Sequence, residues 1–389
     1  MLNKHKSIEN YLKLISIPRG VKNDKVKAIY KRVLLLIVFL VQTGFINYYR
    51  DPVFEARKII EKRSFYQNSK IELQKKAIKG MIQDFDDFSD FLDTEDFNAL
   101  QESVSGEFVG VGLEVFKKPS DKFVKIISPI SGSPAEKAGL KAGDKIFIVG
   151  GHDVSNKNLT DVVNLIKGKE GTEVEMTVEQ NGKLKIFKIM RAKIKTQSVL
   201  TEVHDDIFVI VIRSFMQNTF DEFKIALQKY SLEEKKYNYI VFDLRNNPGG
   251  LLDVVVNMSN LFLHKGDKIT TIKAKNDVIL SEYISDNENP VVLRNMVMLV
   301  NKGSASASEI FVASLQENKK GILIGETTFG KGSVQEVIPM QTLKDTAIKL
   351  TIAKYYTPTG KCVDKVGVEP DKKINIKNYS EIKDILKNN

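Results

Sequence analysis

Between Thr196 and Glu326 the chain alternates continuous apolar runs with amphipathic segments. The runs DIFVIVIRSF, YNYIVFDLR, VVLRNMVMLVN and GILIGE are separated by NTFDEFKIALQKYS, LLDVVVNMSNLFL and ASEIFVASLQEN, whose apolar residues recur at helical spacing. A strand that is apolar on both faces needs both covered, and helices between successive strands supply the cover. The pattern therefore predicts an α/β layer with a largely parallel sheet. Reactive groups in such a sheet collect at strand-to-helix turns, at the carboxyl ends of the strands.

The preceding 90 residues have a different period. From Gly106 to about Lys195 short alternating runs, FVGVGLEVF, FVKIISPI, KIFIVGG, EVEMTVEQ and LKIFKIM, are separated by Gly, Asn and Lys turns. Two helical pieces interrupt them, SPAEKAGL with Pro134 suited to a first turn, and LTDVVNLIKG. A G-x-G turn opening onto a strand, Gly110-Val111-Gly112-Leu113, followed by SPAEKAGLKAGDKI, resembles a PDZ domain. That resemblance implies a module that holds a peptide's free carboxylate on the backbone N–H groups of Gly110 to Leu113 and adds the peptide as a strand.

Pro52 to Ser105 follows helical spacing, as in Ile71, Ala77, Ile78, Met81, Ile82 and Phe85, and reads as a helical segment. The phenylalanines of its acidic second half read as packing residues. Beyond Asp371 the Lys- and Asn-rich tail reads as loosely held.

Charge decides between classes of partner. The formal net charge is +10, but residues 1–32 carry nine Lys or Arg against Glu9 and Asp24 and so hold +7 of it. The nearly neutral remainder excludes a nucleic-acid surface. Directly after the basic segment come nine apolar residues, Val33 to Val41, within 17 uncharged ones. A basic flank before an apolar stretch predicts an uncleaved signal-anchor, with an inner-membrane location and the bulk of the chain extracytoplasmic or periplasmic. Cys362 is the only cysteine, so no intramolecular disulfide or cysteine metal site is available. Neither a metal nor a cofactor is expected.

The segment NKGSASASEIF carries three serines, Ser304, Ser306 and Ser308, between a strand ending near Asn301 and a helix continuing through Ile310, Phe311 and Leu315. One serine would serve as a cap. Three exceed that need, and a strand-turn-helix elbow is how several hydrolases expose a nucleophilic hydroxyl. The helix's positive end can then hold an oxyanion. A base is required, yet of the four histidines His5 lies in the leader, His152 in the small β module, and His204 and His264 in polar turns with no acidic partner patterned around them. Lys331, between Gly330 and Gly332 in GETTFGKGSVQ, can serve if burial lowers its pKa.

These residues carry a family resemblance. NKGSASASEIFVASLQENKKGILIGETTFGKGSVQ, with DLRNNPGG before it and KLTIAKYYTPTG and GVEPD after it, resembles the carboxyl-terminal processing proteases, also called tail-specific proteases, from about Glu55 through Asp371. The resemblance implies Ser306 as nucleophile, Lys331 as general base and Gln335 as the polar side chain that orients it. It implies oxyanion donors at Ala307 and at one of Gly249 and Gly250. Lys167 matches a basic position that couples the PDZ domain to the core. The implied organisation is a basic anchor over 1–50, a helical segment over 51–105 that could form a homodimer, a PDZ domain over 106–195, a Ser/Lys protease core over 196–375 and a tail over 376–389. The implied function is cleavage of protein substrates near their free carboxyl-terminal tails. The competing reading is a catalytically silent PDZ protein that only binds peptides.

Overall fold

The apolar runs become strands that bury both faces. In the structure, a computed structural model that describes residues 51–387 except 68, 119 and 120, Ile207–Ile212, Tyr239–Asp243, Met296–Val300 and Ile322–Gly325 lie side by side in parallel. Val199–His204 extends the sheet antiparallel at one edge and Lys372–Lys373 parallel at the other. Alternation along each strand assigns the faces. Phe208, Ile210 and Ile212 pack with Phe223, Met258 and Phe311 of the helices Thr219–Leu232, Leu252–Asn260 and Ala307–Glu317. Ile207 and Val209 join Val241, Leu299 and Ile324 on the opposite face. A second, antiparallel sheet holds Lys268–Lys273, Ile279–Ile284 and the hairpin of Ser333–Pro339 with Ala347–Tyr356. Lys331 stands just before that hairpin.

The segment beyond Asp371 is not loose. Ile376 and Ile382 are 4% and 0% exposed, and with the helix Glu381–Lys387 they close the second face of the parallel sheet. Tyr379 Oη donates to Asp243 Oδ2 at 2.8 Å. The abundance of Lys and Asn concealed these few apolar positions, and only the uncovered strand face gives them a partner.

In the module before the core, Leu113–Phe116, Val124–Pro129, Lys145–Val149, Glu173–Gln180 and Lys183–Met190 form one antiparallel sheet in that order. Leu113–Phe116 is therefore an edge strand. Val174, Met176 and Val178, all within 2% of full burial, point inward with period two. Ser133 and Pro134 start a short helix as their chemistry predicts, and Leu159–Ile166 forms the longer one. The chain enters and leaves this module as a two-stranded ribbon, Glu107–Gly110 paired with Ala192–Lys195.

Two compact units meet in sequence at Phe91 and Leu92. The first contains the helices Pro52–Arg63 and Lys70–Ile82, the latter opened by a capping box in which Ser69 Oγ accepts from the Glu72 N–H at 3.1 Å. The helix Thr94–Ser105 belongs to the second unit, with the module and the core.

The expectation of an inner-membrane anchor with an extracytoplasmic catalytic part is corrected. Among the described residues no helix is long and apolar enough to cross a membrane. The longest, Thr219–Leu232, has 14 residues, or about 21 Å of helix against the roughly 30 Å of a bilayer core. Val33 to Val41, on which the expectation rested, lies outside the described residues.

Because Ile382 is fully buried against the open strand face, Ile382→Ala is expected to lower the unfolding free energy by about 2–5 kcal/mol. Urea denaturation of the full chain measures it.

Candidate active site

Met296–Val300 ends at the carboxyl edge of the sheet, and the next six residues turn the chain into the helix Ala307–Glu317. The three serines of this turn separate by burial. Ser304 and Ser308 are fully buried, and each clips the elbow to the loop after Tyr239–Asp243. Ser304 Oγ donates to the Leu244 carbonyl at 2.8 Å and Ser308 Oγ to the Asn247 carbonyl at 2.9 Å. Ser306 alone remains partly exposed. Its backbone sits at φ 57°, ψ −118°, a conformation disfavoured for any residue with a Cβ and worth about 1–3 kcal/mol of strain. Surrounding bonds must hold it there.

Glu309 supplies them. Its carboxylate is 0% exposed and accepts five hydrogen bonds. Oε2 takes the Ser306 N–H at 2.8 Å, the Lys331 N–H at 2.9 Å and Tyr355 Oη at 3.1 Å. Oε1 takes the Gly330 N–H at 2.8 Å and Thr328 Oγ1 at 2.5 Å. One carboxylate oxygen thus joins the backbones of Ser306 and Lys331, 25 residues apart. The single Tyr355 hydroxyl proton is shared between Glu309 and the Ser306 carbonyl, also at 3.1 Å, and burial together with the Glu309 charge holds its phenol well above the ordinary range.

The Lys331 amine is lowered from the ordinary lysine range, first by burial and then by the like charge of Lys349, against an opposing pull from Glu309. Gln335 lies on the adjoining strand, where its amide donates to Ser333 Oγ at 2.8 Å and Thr351 Oγ1 at 3.2 Å. That leaves its carbonyl as the group available to a neighbouring cation.

Gly249 is packed against the elbow. A Cβ there would lie 2.9 Å from both Ser306 Cβ and the Ala307 nitrogen, at φ 102°. The Gly249 N–H is already committed to Asn247 Oδ1 at 2.9 Å. Among the described residues the Gly250 and Ala307 N–H groups have no acceptor. Of the two glycines, only Gly250 has an N–H left unengaged among the described residues.

Gly110, Val111, Gly112 and Leu113 line a separate cavity of about 310 Å³, together with Lys167 and apolar side chains including Val163 and Ile166. A Cβ on Gly112 would meet Ser133 Cβ at 2.4 Å, so only glycine allows this close crossing. Lys167 points into the same cavity and pairs with Glu102. A polar cavity of about 300 Å³ also opens at the carboxyl ends of the parallel strands beside Asp243 and Arg245, but neither Ser306 nor Lys331 lines it. None of the described histidines lines either cavity. His204 does have an acidic partner, Glu202 Oε2 at 2.9 Å, but both side chains lie on the surface.

Sequence reasoning missed Glu309, Tyr355 and Asn247. For Glu309 a signal existed, since Ser306 followed three residues later by Glu is a capping-box pattern. Tyr355 and Asn247 gave none.

An α/β layer with a PDZ-like module before it, and a partly exposed serine on a strained strand-turn-helix elbow, is the architecture of a PDZ-bearing serine peptidase. Peptidase family S41 matches residues 206–374 and a PDZ domain matches residues 125–180. The carboxy-terminal processing protease CtpA of Bacillus subtilis strain 168 is 39% identical over 339 residues, covering 85% of this chain and 70% of that protein. A CtpA-like serine protease of Staphylococcus haemolyticus is 38% identical over 329 residues, covering 84% of this chain. This chain spans 65% of that relative's length. The solved photosystem II D1 C-terminal processing protease superimposes with a TM-score of 0.50 at 28% identity, over 83% of this chain and 92% of that one. The chain belongs to peptidase family S41, among its carboxy-terminal processing serine proteases with a PDZ domain.

Glu309→Ala strands four buried or half-buried donors, the N–H groups of Ser306, Gly330 and Lys331 and the Thr328 hydroxyl, and leaves Tyr355 only the Ser306 carbonyl. We expect a loss of at least about 3 kcal/mol in unfolding free energy, against about 1–2 kcal/mol for Tyr355→Phe, both read from urea melts.

Proposed function

We propose that this chain is a serine endopeptidase that cuts proteins near their carboxyl termini, with Ser306 as nucleophile and Lys331 as general base. The observation that carries the reading is the shared Glu309 oxygen, which fixes both backbones while the Lys331 amine is kept partly desolvated. The neutral amine accepts the Ser306 Oγ proton as Oγ bonds to the scissile carbonyl carbon. The resulting oxyanion is held by the Gly250 and Ala307 N–H groups. As the tetrahedral intermediate collapses, the C–N bond breaks and the Lys331 ammonium returns its proton to the leaving amine. Water then gives a proton to Lys331 as its oxygen bonds to the acyl carbon, and on collapse the C–Oγ bond breaks and the Lys331 ammonium returns the proton to Ser306 Oγ, freeing the carboxylic acid product. Gln335 would orient the amine through its carbonyl without adding a charge that raises the lysine pKa.

The PDZ domain, residues 106–195 in this reading, would take the substrate tail along the edge strand Leu113–Phe116, with the terminal carboxylate at the Val111 and Gly112 N–H groups. Among the described residues these two donors have no acceptor, which supports the assignment. Lys167 would couple an occupied tail site to the core over 196–375.

Ser306→Ala and Lys331→Ala should each abolish cleavage of a tailed protein substrate, and the double variant should be no worse than either single one, because parts of one catalytic unit are not additive. Ser304→Ala and Ser308→Ala should act through stability. Normal turnover by Lys331→Ala would refute the dyad. The competing silent-binder reading would be supported if the intact chain binds tails but releases no product.

The base works as the neutral amine, so the rate should rise with pH through the lowered Lys331 pKa. Lys349→Met removes a like charge that favours the neutral form. It should raise that pKa and move the rising limb to higher pH, while His204→Gln and His264→Gln leave the pH–rate profile in place.

A further inference from the structure

The tail cavity contains a carboxylate of its own. Glu102, on the helix Thr94–Ser105, lines it and pairs its Oε2 with Lys167 Nζ. Lys167 is the residue on which the helix Leu159–Ile166 ends, and the Phe108 ring stands 5.5 Å from its ammonium. Each member of the pair is about one-third exposed, so water and ligand both reach it. The remaining lining is largely apolar, with Val111, Leu113, Val163 and Ile166 of the module facing Ala99 of the helix. A tail carboxylate set on the Val111 and Gly112 N–H groups would share this cavity with the Lys167 ammonium, with the apolar recess open to its last side chain. Here the cation already has a carboxylate on it.

We propose that Glu102 is an internal competitor for the substrate's terminal carboxylate. On this reading, which rests on the tail-recognition role given above to the PDZ domain, a free-carboxylate tail with an apolar last residue docks only by taking Lys167 from Glu102. Docking then releases the end of the helix Thr94–Ser105 from the module. Glu102 thereby sets the affinity threshold that separates true tails from internal loops, because an internal segment carries no carboxylate with which to displace it. When the binding-competent state is only fractionally populated, the apparent affinity falls by that fraction. A part-exposed pair is worth up to about 1 kcal/mol, which converts to roughly a twofold to fivefold effect on tail affinity.

The test uses the full chain carrying Ser306→Ala, so that binding is read without cleavage. The probe is a fluorescein-labelled hexapeptide ending in valine, as free acid and as amide, followed by anisotropy. Glu102→Gln should tighten the free acid roughly twofold to fivefold and leave the amide unchanged, with Glu102→Ala as second variant. In a Lys167→Gln background Glu102→Gln should have no effect. Hydrogen exchange over residues 94–105 should rise when the free acid is added to the Glu102 protein. Unchanged or weaker binding of the free acid to both Glu102 variants overturns the proposal, as does equal tightening of acid and amide. Failure of the catalytic reading shows separately, as an intact Ser306 chain that does not cut.

Discussion

The Glu309 carboxylate is the constraint on which the rest of the site depends. A fully buried carboxylate is expensive to desolvate and persists only when its lone pairs are filled. Here they are filled by backbone N–H groups and hydroxyls from the elbow, from the loop Thr328 to Lys331 and from Tyr355 of the second sheet. None of these donors is a cation, so the ion is stabilised without a salt bridge. Its bonds can be satisfied in only one arrangement of those segments. The parallel sheet with its helix and the antiparallel hairpin are thereby locked in register at the place where Ser306 and Lys331 stand.

That lock explains how a strained residue is tolerated. Ser306 has a positive φ and its two flanking serines are sunk into the neighbouring loop, so the turn cannot relax without breaking Ser304 from Leu244 and Ser308 from Asn247. The same loop carries Gly249 against the elbow and, among the described residues, leaves the Gly250 N–H without an acceptor. The close approach of Gly249, the partial exposure of Ser306 and the unengaged N–H groups of Gly250 and Ala307 among the described residues are one geometric unit, which no single segment could build.

The PDZ module is organised on a different principle. Its core is ordinary period-two packing, and its distinctive feature is an open edge strand beside a cavity whose charge is already matched by Glu102. The Ser306 elbow is held by satisfied hydrogen bonds, whereas the cavity beside the edge strand holds one part-exposed ion pair.

Much of the protein was legible in one dimension. The alternation of apolar runs and amphipathic helices fixed the layer, and the short alternating runs before it fixed the β-module, because burial geometry imposes periods of 2 and 3.6 on the sequence itself. The elbow was legible for the same reason, since Gly303, small residues and a capping pattern are local requirements. What stayed hidden was every contact between segments distant in sequence: the covering of the second sheet face by Ile376 and Ile382, the tie of Tyr379 to Asp243, the convergence of five donors on Glu309, and the meeting of Glu102 with Lys167. Such contacts leave no period. An apolar residue in a lysine-rich tail or a glutamate on a helix face has the same local signature whether it is solvated or is the partner that completes a buried site. The sequence by itself determined which elements form and where a reactive serine could be exposed. Only the tertiary structure decided which glycine N–H is left without an acceptor among the described residues, which carboxylate ties the Ser306 backbone to that of Lys331, and which glutamate pairs with Lys167, because those choices are made by three-dimensional satisfaction of polar groups.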